Sequence, residues 1–306
     1  MPPPDVVILS RACTSSLAER VIGRPSLSHI VRRTATDLPA DFRSACDAAW
    51  HRVRETPGYL AEREAKFLML AAACAPANGA IVEIGSFKGR STIGLAAMAQ
   101  RYGLGRVVAV DPHTSPSETD PDLGGQPSSY DDFRANLERA GVASIVDSRR
   151  MRSQELAGTW NQPIRLLWID GDHTYAAVKE DLARFRPYLA RGAILAMHDV
   201  LGTWEGPLRV FVEDVLESDD FGPAGFCGSI GWAQYLPGDG GARPFRGSRR
   251  RLAWAARHLI PVARAGLVAS GVNKWRYKLW RALAPHHAVD PARWVARVRL
   301  PRRAGP

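Results

Sequence analysis

Residues 81–92 read IVEIGSFKGRST. A short apolar run ends in Glu83, the chain turns through Gly85 and Gly89, and the apolar helical pattern STIGLAAMA follows. A buried strand that turns on glycine into a helix N-terminus forms a ligand crevice in a parallel α/β sheet. Glycine serves there because it has no Cβ and tolerates positive φ. Phe87 stands where a G-x-G-x-x-G dinucleotide fingerprint needs its second glycine, and no GK[ST] follows, so neither a pyrophosphate turn nor a P-loop fits. The expected ligand is nucleoside-like, without a pyrophosphate at this turn.

Working outward, RVVAVD (106–111) is a second apolar run that ends in an acid. An acid at that strand end usually accepts hydrogen bonds from ribose hydroxyls, and Asp111 takes that role here; the alternative is a plain strand-ending Asp-Pro turn. Further strands are expected over 80–84, 144–148, 164–169 and 193–197, with helices over 90–101, 129–140, 153–158 and 174–189. This alternation predicts a doubly wound, mostly parallel sheet. Two helical patterns, 41–55 and 60–75, precede it. A helix over 207–217 and an antiparallel edge hairpin over 221–236 follow it. The polar, Pro- and Gly-rich loop 112–128 lies where functional lids belong.

The chemistry concentrates at two neighbouring strand ends. RLLWIDGDHTYAAVKEDL (165–182) runs into Asp170, Asp172 and His173, and ILAMHDV ends in His198 and Asp199. Carboxyl ends of adjacent parallel strands converge on one crevice, so these five side chains are expected around one small volume. Carboxylates suit Mg²⁺, and imidazole admits another divalent metal, which makes Asp170, His198 and Asp199 a candidate metal set. A histidine there also suits a general base. The structural alternative is a capped turn, with Asp172 or Thr174 accepting helix N-terminal amides.

Composition bounds the rest. In 306 residues, 45% hydrophobic and 24% charged content is that of a globular protein. Cys13, Cys46, Cys74 and Cys227 form no C-x-x-C pair, which predicts reduced thiols in a cytoplasmic protein. No stretch of 18 apolar residues predicts a spanning helix. The formal charge of +10 is uneven: from Arg243 onward, 16 Lys/Arg face a single acid, Asp290, whereas the rest is mildly acidic. The expected division is a loose leader (1–40), a catalytic domain (41–240) and a basic, Trp-containing helical extension (241–306) outside it. Trp275, Leu279 and Leu283 recur at helical spacing among basic residues, which suits an anionic membrane surface at the inner face of the membrane. Packing on the main domain or a partner chain is the plainer option, and no recognisable module favours nucleic acid. Oligomeric state is left open.

Taken together, E-I-G-S-x-x-G-x-S-T, the V-D strand end, I-D-G-D-H-x-Y-x-x-V-x-x-D-L and M-H-D resemble the class I S-adenosylmethionine-dependent methyltransferases. The branch they resemble is the bacterial one related to macrocin, sugar and glycan O-methyltransferases. P-G-Y-L-x-x-x-E-A-K resembles that branch's preceding helix, and the resemblance spans about 57–236. It implies S-adenosyl-L-methionine at the Gly85 turn, with Glu83, Gly85, Ser86, Gly89 and Ser91 along its methionine and ribose end. Asp111 would hold the ribose, Ser153 would lie near the adenine, and Asp170 and His173 would lie near the transferred methyl. The implied reaction methylates a hydroxyl of a sugar, glycan or other small-molecule acceptor. His198-Asp199 departs from the acidic pair that some relatives use for metal, which leaves His198 as a nitrogen ligand or the base. Two other readings are a nicotinamide-dependent oxidoreductase and an inactive binding protein on the same fold.

Overall fold

The computed structural model describes residues 37–238, 240–265 and 271–300, all within one compact unit; the expected leader up to residue 36 lies outside the described residues. Seven strands form one sheet in the order β3-β2-β1-β4-β5-β7-β6. They are β1 (Ala80–Ile84), β2 (Val107–Val110), β3 (Val146–Arg149), β4 (Ile164–Ile169), β5 (Leu189–Met197), β6 (Phe221–Cys227) and β7 (Ile230–Tyr235). β1 through β5 are parallel, and β6 and β7 add an antiparallel edge. This is the expected fold class.

Alternation along the strands feeds two cores. Ile81, Val107, Leu166, Trp168 and Ile194 face one layer, and Val82, Val108, Leu167, Ile169 and Leu195 face the other. The first layer holds α1 (Phe42–Arg54), α2 (Glu62–Cys74), α3 (Arg90–Tyr102) and α4 (Tyr130–Arg139). The second holds α5 (Ser153–Thr159), α6 (Tyr175–Phe185) and α7 (Glu205–Val210), which continues as a π-turn over Phe211–Leu216. The helix expected over 174–189 is shorter, because Pro187 ends it in a 3₁₀ turn, and β5 begins four residues earlier than its apolar run. Cys46, Cys74 and Cys227 are buried.

The basic segment requires a correction. It was expected outside the domain, yet α8 (Arg246–Arg257), α9 (Ile260–Arg264) and α10 (Gly271–Leu283) lie along the second layer. α11 (Pro291–Val298) completes the first. Trp294 packs against Phe67 and Trp232, with ring centroids 5.9 and 5.6 Å away. Gln234 donates to the Val298 carbonyl at 2.6 Å, and Arg297 donates to that of Ala224 at 3.0 Å. The buried Arg249 guanidinium is satisfied by the carbonyls of Leu216, Ser218 and Ala242. Most of the charges face outward while Ala253, Ala256, Leu259, Val262, Tyr277, Trp294 and Val298 are buried in the two cores, so net charge alone misplaces the segment. Among the described residues no helix is long and apolar enough to cross a membrane.

Candidate active site

The strand order reverses between β1 and β4, and the candidate site lies at their carboxyl ends. Gly85 leaves β1 at φ 82°. A Cβ there would strike the Asp170 carbonyl, so only glycine lets the two strand ends approach this closely. Gly89, at φ 89°, then opens α3.

Asp111 governs this turn. Its Oδ2 accepts from the Ser86 and Phe87 amides at 2.8 Å each, and its Oδ1 accepts from the His113 amide at 2.6 Å. A carboxylate offers about four acceptor positions, so roughly one remains on Oδ1 for a ligand hydroxyl. The residue expected to grip both hydroxyls of a ribose therefore spends most of its capacity shaping the turn. Asp111 still lines a cavity, together with Gly85, Phe87, Ser153, Gln154, Asp170 and Asp181. Ser153 donates to Asp181 at 2.5 Å, and burial raises the Asp181 carboxyl to about 7.

Glu83 is placed otherwise than expected, whereas Ser91 lines the cleft described below. Glu83 is fully buried beneath the turn, where Ser91 and Thr92 donate to its two oxygens at 2.5 Å each. Burial pushes its carboxyl up to about 8, against those hydroxyls. It braces α3 on β1 and lines neither site cavity. Ser86 does face the site: its buried Oγ has no partner among the described residues.

A second cleft of about 500 Å³ adjoins the first, sharing Gly85, Phe87, Asp120, Pro121 and Asp170 with it. It contains His173, His198 and Asp199, which the structure brings together as the strand ends predicted. His198 Nδ1 lies 3.0 Å from Asp170 Oδ1, and its Nε2 lies 3.7 Å from Glu64 Oε2. His173 Nε2 lies 3.4 Å from Asp199 Oδ2 and 3.9 Å from Asp170 Oδ1, and its ring stacks on Trp204 at 5.6 Å. Burial opposes charge on both rings, yet the facing carboxylates hold His173 above its usual range and His198 well above it. Asp199 takes positive φ, 51°, to reach this position.

The expected metal set of Asp170, His198 and Asp199 does not form a cation site: among the described residues no three His, Cys, Asp or Glu side chains are grouped to hold a metal. His198 Nδ1 lies 3.0 Å from Asp170 Oδ1, and the carboxylates around the ring favour its protonated form.

Two side chains that line the cleft have no role in the sequence reading. Glu64, on α2, accepts from the Ala61 amide at 2.9 Å and the Ser229 amide at 2.6 Å. Burial opposes its charge, but His198 and these two amides hold its carboxyl down at about 2. Its signals in the sequence are the E of P-G-Y-L-x-x-x-E-A-K and its place three residues after the Ala61 N-cap, neither of which points to His198. Thr119, at the tip of the 112–128 loop, donates to Asp172 and accepts from the His173 amide, both at 2.9 Å. Asp172 also accepts from the Thr174 amide at 2.7 Å, and Thr174 caps α6, so the capped-turn alternative holds for those two residues. The loop is pinned at its base as well, where the Ser129 amide donates to the His113 carbonyl at 3.0 Å. It thus lies across the junction of the two cavities.

A family profile described as a methyltransferase domain matches residues 82–200, the segment that carries β1 through β5 and all four strand-end motifs. Among solved structures, cofactor-bound Rv0187 from MTB is 25% identical over 64% of this chain and 88% of its own, with a TM-score of 0.45. The O-methyltransferase TomG from Streptomyces achromogenes, in complex with SAM, is 20% identical over 65% of this chain and 91% of its own, with a TM-score of 0.46. An O-methyltransferase from Bacillus cereus, in complex with SAH, is 21% identical over 64% and 91%, with a TM-score of 0.44. The profile match falls on the glycine turn, the acidic second strand end and the polar strand ends of β4 and β5, so residues 82–200 are similar to a methyltransferase domain.

Proposed function

We propose that the chain is an S-adenosylmethionine-dependent methyltransferase acting on a hydroxyl of a small-molecule or glycan acceptor. The observation that carries the reading is the imidazole–carboxylate cluster of Asp170, His173, His198 and Asp199, lodged in a cleft that meets the Gly85 cavity. An alcohol is a poor nucleophile at neutral pH, so its methylation benefits from a positioned proton acceptor. The alternatives are not favoured: Phe87 replaces the glycine that a nicotinamide dinucleotide needs, and the cluster is intact.

The residues fit the cofactor. Asp111, Ser153 and Asp181 line the cavity suited to the adenosine, and the Ser86 Oγ, without a partner among the described residues, points to the remaining, amino-acid portion. The free Oδ1 position of Asp111 takes one ribose hydroxyl, and Ser153, its proton committed to Asp181, offers lone pairs to the adenine amine. S-adenosylmethionine supplies an electrophilic methyl on a sulfonium when bound. Asp170, shared by both cavities, offers negative charge beside that cation.

His173 is the proton acceptor in this reading. Its Nε2 faces Asp199 at 3.4 Å, and Trp204 stacks on the ring plane. His198, clamped between Asp170 and Glu64, is a positioning imidazolium that balances the carboxylates. Because those carboxylates raise the His173 pKa, turnover should rise with pH through a value above the ordinary 6.5 of histidine. Holding the acceptor oxygen in line contributes up to roughly 7–11 kcal/mol in favourable cases.

The test is transfer from methyl-labelled S-adenosylmethionine to a panel of polyols and glycosides, with the matching deoxy compounds as controls. Label on a hydroxyl acceptor and none on its deoxy partner, undiminished by EDTA, is expected. S-adenosylmethionine binding with label confined to amines or thiols would overturn the hydroxyl assignment. Tight NAD binding without S-adenosylmethionine binding would overturn the whole reading.

A further inference from the structure

α10 is amphipathic on two separate faces. Tyr277 and Ala284 are buried against the second layer. Val272, Trp275, Leu279 and Leu283 are 75, 73, 62 and 51% exposed. At about 100° per residue those four side chains fall within an arc of about 80°, so they form one continuous apolar ridge pointing away from the protein. Basic residues flank it: Lys274, Arg276 and Lys278 are exposed, Arg281 is half-buried, and the helix carries no acid. The patch continues onto α8, where the exposed Trp254 meets Trp280 at 5.9 Å, beside the exposed Arg250 and Arg251.

We propose that this ridge docks the protein on an anionic lipid bilayer. Bulky aliphatic and indole side chains on an outward-facing ridge, with lysine and arginine on both flanks, match an interface of acyl chains below and anionic headgroups around. The other occupants fit less well. Nucleic acid would use the basic flanks but leave Val272, Leu279 and Leu283 without a partner, since single strands are held by aromatic stacking in a groove. A second copy meeting this face about a twofold axis would set its basic flanks against identical ones.

Docking there bears on the active site. The Tyr277 hydroxyl, on the opposite side of α10, lies 2.6 and 2.7 Å from the carbonyls of Leu201 and Gly202 and donates to them. Those residues belong to the loop that carries Asp199 and Trp204 into the cleft. The docking helix is thus tied directly to the wall of the cleft. The proposal does not depend on the reaction assigned above.

The experiment is co-sedimentation of the full chain with phosphatidylcholine vesicles and with vesicles containing 30% phosphatidylglycerol, at low and high salt. Binding to the anionic vesicles alone, weakened at least tenfold by high salt, is expected, because screening shortens the field of exposed charges. Trp275→Ser/Leu279→Ser should reduce the partition at least tenfold, and Lys274→Glu/Lys278→Glu should do the same. Calorimetric affinity for S-adenosylmethionine should be unchanged in both, since these side chains lie on the exposed face. Equal sedimentation of wild type and variants would overturn the proposal. So would absence of vesicle binding, whether accompanied by a ridge-dependent dimer in light scattering or by salt-sensitive binding of a single-stranded oligonucleotide.

Discussion

The two adjoining cavities are built from different materials. On the side of the Gly85 turn the walls are backbone amides and glycines held by Asp111, with Ser153 and Asp181 beyond them. On the other side, charged side chains from three distant segments meet: Glu64 from α2, Asp170 and His173 from the end of β4, and His198 and Asp199 from the end of β5. The first is a shape set by local backbone conformation. The second is a charge balance that exists only once the chain has folded. A backbone cradle suits a ligand that is always the same, and a side-chain cluster suits chemistry in which a proton must move.

The contrast breaks most sharply at His173. Replacing it with Ala should lower kcat by about 10²–10⁴-fold, the usual worth of a positioned base, while leaving S-adenosylmethionine affinity within about threefold. Steady-state kinetics beside calorimetry checks this, and a variant that retains wild-type kcat would remove His173 from the mechanism. Glu64→Gln tests the charge balance through stability. The folded-state pKa of Glu64, about 2, lies below its ordinary 4.5, so its contribution is present above pH 4.5 and is lost as pH falls through 2. Urea unfolding should show the variant on the order of 3 kcal/mol less stable at pH 7, with the gap closing toward pH 2. A pH-independent difference would mean that Glu64 acts by packing alone.

The cradle gives the smallest effect. Asp111→Ala should weaken S-adenosylmethionine at least tenfold, about 1.4 kcal/mol, and lower Tm as well, because the same carboxylate holds three backbone amides. Weaker binding with unchanged Tm would place its role on the ribose alone. Unchanged affinity would sink the ribose role.

The same contrast explains what could be read from the chain. The places of Gly85, Asp111, Asp170 and the His198-Asp199 pair in the fold were legible because each follows an apolar strand, and strand ends of a parallel sheet must converge. The pairing of Glu64 with His198 was not, because tertiary folding alone brings the two together. Thr119 sits in a polar loop without periodicity, so nothing local marks its bridge to Asp172 and His173. Glu83 was misjudged for a physical reason: lying next to the turn in sequence is not lying beside the ligand in space, and the strand's alternation turns its side chain under α3. The basic segment misled in the same way, since Trp294 and Val298 face inward between arginines that face out.

Trp294 has a consequence for how the protein is made. Its seat against Phe67 and Trp232 is ready once β7 exists, but the tryptophan follows about sixty residues later. At the usual synthesis rate of 5–20 residues per second, a nascent chain carries an open aromatic seat on its first layer for roughly 3–12 s. During that interval the sheet is complete while its core is not, so a chaperone that recognises exposed aromatic surface has its opportunity after the last strand has emerged.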